Sequence, residues 1–161
     1  MNSQSSAKDQ LNAWEAIHDA PGSLGRAVRI AREAHTGQVD KSGADYIGHP
    51  LRVMDAVETA EAKTVAVLHD IVEDTPVTFD DLRAAGFSEP VIAAVDALTK
   101  RKGEPLADSM ARVVAIPLAR TVKLADIADN SNPTRLALLP VVERVRLQKK
   151  YAETRRLLGD Q

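Results

Sequence analysis

Residues 65–75 read Val65-Ala66-Val67-Leu68-His69-Asp70-Ile71-Val72-Glu73-Asp74-Thr75, and this stretch decides the fold. From Ala62 to Val72 the chain is apolar nearly all round, the pattern of a helix buried in a core, and it stops at Glu73-Asp74-Thr75-Pro76. Helical periodicity continues on both sides. Ala27, Ile30, Ala31 and Ala34 share a face after the candidate N-cap Ser23, and Gly37 closes that helix. His49-Pro50 opens the next helix, with Pro50 in the first turn, where a missing N–H costs nothing. Downstream, Thr78 and the acidic pair Asp80-Asp81 start a helix that ends at Gly86, and another is predicted from Ser88 to Leu98. Further helices are expected over about 104–114, 117–129 and 140–158, and a short one over 9–19 that packs through Trp14. Residues 1–8 are polar and Ser-rich and read as a frayed terminus, with one domain over residues 9–161. No stretch reads as a strand with a partner. The expected architecture is therefore all-α, a single bundle of about seven or eight helices.

The same stretch carries the chemistry. His69 and Asp70 stand in the middle of a segment that otherwise belongs in the core, where an ionised carboxylate is costly unless paired or bound to metal. Spacing puts Glu73 on the face of His69 and Asp74 on the face of Asp70. Three carboxylates crowd the negative end of the helix dipole, and a divalent cation or a proton would relieve them. Two other apolar segments show the same oddity. Leu124-Ala125-Asp126-Ile127-Ala128 holds a lone carboxylate with Asn130 one turn on, and His49 stands at a helix start after Tyr46-Ile47-Gly48. Taken singly, Asp126 could pair with Lys123 or Arg120, and His49 could be an ordinary flanking residue. Two imidazoles and two carboxylates together form a mixed nitrogen and oxygen set suited to Mn, Fe, Co or Zn.

Composition excludes several classes. The formal net charge of the 161-residue chain is −2, so no global field draws it to nucleic acid or to a membrane. Aromatic residues make up 3%, too few and too scattered to stack single-stranded bases. Cysteine is absent, which removes disulfides, thiolate zinc sites and a cysteine nucleophile. No apolar run is long enough to span a bilayer, and MNSQSSAKDQ lacks the apolar core of a signal peptide, so a cytoplasmic location is expected.

The order His49, His69-Asp70, Asp126 resembles the H…HD…D signature of the HD superfamily of metal-dependent phosphohydrolases. The surroundings AREAHTGQVDKSGADYIGHPLRV, AVLHDIVEDT, ALTK and VKLADIADN resemble more closely the hydrolase domain of the RelA/SpoT family and its small stand-alone homologues. The resemblance implies an HD-type helical fold, one Mn²⁺-type ion held by His49, His69, Asp70 and Asp126, and removal of the 3′-pyrophosphate from ppGpp or pppGpp. It implies that Glu73 and Asp74 position and deprotonate the attacking water, and that Lys41 and Asn130 lie around the nucleotide. The expected partner is thus a small phosphorylated nucleotide, with no nucleic acid and no membrane.

Two positions depart from the family pattern. Asp40 stands where a basic residue is common, and an acid there repels a polyphosphate unless it turns outward or pairs with Lys41. Asn132 replaces a frequent arginine, and Pro133 ends the helix early. Both changes fall in substrate contacts. They keep open a hydrolase of the same chemistry acting on another phosphorylated nucleotide or on NADPH. A sensing module that binds without cleaving is a third reading, disfavoured by the intact Glu73-Asp74 pair. Lys100-Arg101-Lys102 could meet phosphates from a mobile loop or be a solvated turn, and the basic residues from Arg135 to Arg156 read as a solvated face.

Overall fold

A computed structural model describes residues 18–160. The frayed terminus over 1–8, Trp14 and nearly all of the helix expected over 9–19 lie outside the described residues. Among the described residues the helices are α1 Leu24–Ala34, α2 Gly48–Asp55, α3 Ala60–Leu68, α4 Ile71–Asp74, α5 Phe79–Ala84, α6 Glu89–Leu98, α7 Leu106–Val114, α8 Pro117–Asn130, α9 Pro133–Leu136 and α10 Val141–Leu157. The all-α expectation holds. The count exceeds seven or eight because the chain adds two four-residue turns, α4 and α9.

Helix α3 is the axis of the fold. Thr59 caps it through its side chain, which accepts from the Ala62 N–H at 3.1 Å, and Val65, Ala66, Val67 and Leu68 are fully buried. α1, α2, α6 and α8 pack around it. Buried side chains from Ala27 to Leu158 join in one contiguous cluster, so the end of α3 and the middle of α8 face each other across the core.

Sequence predicts one continuous helix from Ala62 to Val72. The structure instead breaks it at His69-Asp70: α3 ends at Leu68, Asp70 takes φ −102° and ψ −3°, and α4 restarts at Ile71. The break has a chemical consequence. Consecutive residues of an unbroken helix diverge and do not face each other. Here His69 Nε2 and Asp70 Oδ2 come within 3.1 Å. Asp70, Glu73 and Asp74 form a group of their own, while His69 joins His49 and Asp126.

The loop between α1 and α2 folds on Asp40. Its Oδ1 accepts from the Ser42 N–H, the Ser42 hydroxyl and the Ala44 N–H at 2.8, 2.7 and 3.0 Å. Gly43 sits at φ +86° in that turn, a conformation glycine adopts without strain.

Candidate metal centre and its two pockets

Three buried side chains, His49 from the first turn of α2, His69 from the α3–α4 break and Asp126 from α8, offer ligand atoms within 4.8 Å of one another. Nε2 of His49 and of His69 lie 2.9 and 3.4 Å from Asp126 Oδ1. Asp70 joins from the side, with Oδ2 at 3.1 Å from His69 Nε2 and 3.8 Å from His49 Nε2. Asp70 belongs equally to the outer group with Glu73 and Asp74.

The ring orientations favour a cation. His69 Nδ1 lies 2.6 Å from the Ala66 carbonyl, which can only accept, so Nδ1 carries the proton. The Nε2 of neutral His69 is then a bare lone pair aimed into the cluster. It has no hydrogen-bond partner, because the neighbouring carboxylates are not placed along hydrogen-bond directions. His49 has the same support behind its ring, with Nδ1 at 2.7 Å from Asp129 Oδ2, while its Nε2 is hydrogen-bonded to Asp126 Oδ1 at 2.9 Å. A carboxylate or carbonyl behind each imidazole fixes its tautomer and raises its basicity, the usual support of a metal-binding histidine. Burial opposes the charged form of both histidines, yet the facing carboxylates hold their pKa values up. Burial disfavours ionised Asp126 as well, but the Lys123 ammonium at 2.8 Å and the two imidazoles keep its pKa well down. These residues could hold a metal ion.

Around the cluster, the Tyr46 hydroxyl donates to Asp70 Oδ2 and the Asn130 amide donates to Asp126 Oδ1 at 3.0 Å. Burial, then the Asp70 carboxylate, push the Tyr46 phenol far up, so it remains a donor. Glu73 Oε1 accepts from the Lys100 N–H at 3.0 Å. Burial raises the Glu73 and Asp74 carboxyls, and the adjacent acids raise them further.

Two pockets open on either side. The first, about 230 Å³, has Tyr151, Leu136 and Leu139 as apolar wall and Asp40, Lys41 and Arg135 as rim. The second, about 180 Å³, exposes Asp70, Glu73 and Asp126 to Lys100, Lys123 and Lys150. Asn130 and Tyr151 line both.

The structure thus brings together His49, His69, Asp70 and Asp126, sets Glu73 and Asp74 beside them, and places Asn130 on Asp126. Lys41 reaches only the rim, where its Nζ is 2.8 Å from Glu143 Oε1. Asp40 neither turns outward nor pairs with Lys41. It binds its own loop and, through Oδ2 at 3.3 Å, Arg135. Arg135 and Lys150, read from sequence as parts of a solvated face, line the two pockets instead. Asp129 was missed too. Its signal was the spacing from Asp126, one turn along the same helix face. Its carboxyl is held down at about 2 because His49 and Arg52 hydrogen bonds outweigh burial.

No protein-family model matches the chain. It is 40% identical over 83 residues to the bifunctional (p)ppGpp synthase/hydrolase SpoT of Escherichia coli (strain K12), covering 48% of this chain and 11% of that one. It is 32% identical over 142 residues to the GTP pyrophosphokinase of Streptomyces coelicolor, covering 80% of this chain and 16% of that one. The chain therefore spans only a small part of the length of these relatives. A solved structure of a metazoan orthologue of SpoT, described as hydrolysing ppGpp, superposes with a TM-score of 0.72 at 22% identity over 84% of both chains. That likeness shows the fold. The helical architecture and the His-Asp constellation define an HD-type domain. In sequence it is similar to the (p)ppGpp hydrolase proteins of the SpoT type.

No helix of the described residues is long and apolar enough to cross a membrane.

Proposed function

We propose that the chain is a metal-dependent phosphohydrolase that removes the 3′-pyrophosphate of ppGpp or pppGpp in the cytoplasm. The observation that carries this reading is the buried His49-His69-Asp126 cluster, with Asp70 beside it and the Nε2 of His69, which has no hydrogen-bond partner among the described residues, aimed into it. His49, His69, Asp70 and Asp126 would hold one divalent ion, with Mn²⁺ suited to this donor set. Such an ion supplies a lowered pKa for water and polarisation of a phosphoryl oxygen.

The remaining steps belong to the chain. Glu73 or Asp74 takes the proton of the attacking water: both lie beside Asp70 with carboxyls raised by burial, and Glu73 lines the second pocket. Water oxygen bonds to the phosphorus attached at the 3′ oxygen, the bond from that phosphorus to the 3′ oxygen breaks, and the 3′ oxygen regains a proton. Pyrophosphate and the 3′-hydroxyl nucleotide result. Lys100, Lys123 and Lys150 meet the phosphate charge in the second pocket, while Tyr151, Leu136 and Leu139 offer the first pocket to the base.

A second reading, hydrolysis of a less charged nucleotide or of NADPH, is favoured by one observation. Both rim cations of the first pocket, Lys41 and Arg135, are already paired with carboxylates. The test is Mn²⁺-loaded protein incubated with ppGpp, pppGpp, NADPH and simple nucleotides, with phosphate and pyrophosphate measured separately. Pyrophosphate from ppGpp, with GDP left behind, is expected. Phosphate alone from NADPH, with ppGpp intact, would install the second reading.

A further inference from the structure

Asp40 and Asn132, the two departures from the hydrolase pattern, lie far apart in sequence and meet on one residue, Arg135, the first at its guanidinium and the second at its backbone N–H. The Asn132 side-chain oxygen accepts from the N–H groups of Thr134 and Arg135 at 2.9 and 3.4 Å, and so starts the turn of α9 on which Arg135 stands. From there the guanidinium reaches back across the first pocket. Its Nη2 is 3.3 Å from Asp40 Oδ2 and its Nη1 is 2.5 Å from Asp129 Oδ2. That same Asp129 oxygen lies 2.7 Å from Nδ1 of His49. Arg52 grips both oxygens of Asp129, with Nε at 2.8 Å from Oδ1 and Nη2 at 3.2 Å from Oδ2.

We propose that Arg135 is a positioning residue of the metal centre: anchored by Asp40 and Asn132, it fixes Asp129, and through Asp129 the imidazole of His49. The proposal rests on the reading of His49 as a metal ligand. Its physics is that of an oriented carboxylate behind a coordinating ring. Asp129 sets the direction of the His49 lone pair only if its own torsions are held, and two guanidiniums hold them, Arg52 through Nε and Nη2 and Arg135 through Nη1. An arginine can span Asp40 and Asp129 at once because its donors point along fixed, diverging directions. A lysine ammonium is a point charge on a flexible stem and cannot reproduce the bridge. Asp40 is then the counter-anchor that keeps Arg135 from swinging into the first pocket, and Asn132-Pro133 is the device that delivers Arg135 to this height. The two departures are halves of one arrangement.

The test uses the full chain, stripped of metal and titrated with Mn²⁺ and, separately, Zn²⁺. Four proteins besides wild type are compared: Asp129→Asn, Arg135→Gln, Arg135→Lys and the double variant Asp129→Asn/Arg135→Gln. Losing the supporting carboxylate should weaken metal binding about 10- to 100-fold. Each Arg135 variant should weaken it by roughly three- to tenfold, a fraction of that loss. Metal-free melting temperatures report folding independently, and Arg135→Lys carries the test if Arg135→Gln does not fold. The double variant should bind metal no more weakly than Asp129→Asn alone, because Arg135 acts through Asp129. Additive losses, or Arg135 variants that bind metal like wild type and only raise KM, would overturn the proposal and leave the metal reading standing. A wild-type chain that takes up neither metal would overturn both.

Discussion

In the first pocket both cations already have carboxylates: Lys41 has Glu143, and Arg135 has Asp40 and Asp129. In the second, Lys123 has Asp126, but Lys100 and Lys150 have no ion-pair partner among the described residues. Burial lowers the Lys150 pKa, and Lys123, Lys100, Arg146 and Lys41 lower it further. An ammonium with no ion-pair partner, set among like charges, is a site prepared for an anion. A paired guanidinium is part of the wall. The difference teaches that a count of basic residues around a cleft says little about where phosphate goes. What decides is which cations remain unmatched once the protein has folded.

The strongest way to break the comparison is to remove Asp126, which lines the second pocket and hydrogen-bonds His49 and Asn130 of the first. Asp126 serves His49, Lys123 and Asn130 together. Asp126→Ala leaves buried cationic and polar groups unmatched, so it should abolish metal uptake and destabilise the metal-free protein by about 3–5 kcal/mol. Metal content after dialysis and denaturant unfolding check this.

Next come the acids beside Asp70. Glu73→Gln and Asp74→Asn should keep the metal while turnover of the best substrate falls by about 10²–10⁴-fold. Metal retention with near-native rates would remove these carboxylates from water activation.

The comparison itself is sharpened by two lysines. Lys150→Ala should raise KM for a phosphorylated substrate by roughly 10- to 100-fold, the value of a lost charged hydrogen bond. That penalty should shrink as salt rises. Lys41→Ala should change KM by less than about fivefold, since an exposed, pre-paired charge contributes little. If the order is reversed, the phosphates enter by the first pocket.

The smallest effect lies on the loop that carries Lys100. Arg112 donates to Glu104 at 2.7 Å and to the carbonyls of Asp96 and Thr99 at 3.1 Å each, so it staples the end of α6 to the start of α7. The Arg112 hydrogen bonds hold the Glu104 carboxyl down at about 2, below its ordinary 4.5. A depressed folded-state pKa gives stability that is complete above the unfolded value and fades as pH falls toward the folded one. Glu104→Gln should therefore lower the melting temperature slightly at pH 7, and the gap to wild type should narrow between about pH 4.5 and pH 2. A gap unchanged across that window would show that the pair does not stabilise the loop.

Much of this was legible without coordinates. The apolar run Ala62–Val72, the caps Ser23 and Thr78, and the glycines at helix ends place most helices within a residue or two. The oddity of His69, Asp70 and Asp126 in apolar surroundings pointed to three side chains that the fold brings together. Two readings failed for an identifiable reason. The break at His69-Asp70 is invisible to periodicity, because both residues fit a helical pattern. It follows from the demand that two adjacent side chains reach one point. Arg135 looked like surface charge because its partners, Asp40 and Asp129, come from other segments and carry no spacing that links them to it.

Sequence by itself determined the helices and the chemical character of the site. Both depend on neighbours within about one or two helical turns, and on the cost of placing a charge in an apolar segment. Tertiary structure alone decided which cations are spent on carboxylates and which are left for a ligand. It also joined Asp40 and Asn132 through Arg135 to the ring of His49. Ion pairing falls off within a few ångströms, and only the packing of α2, α8 and α9 around the loop of Asp40 brings those charges that close.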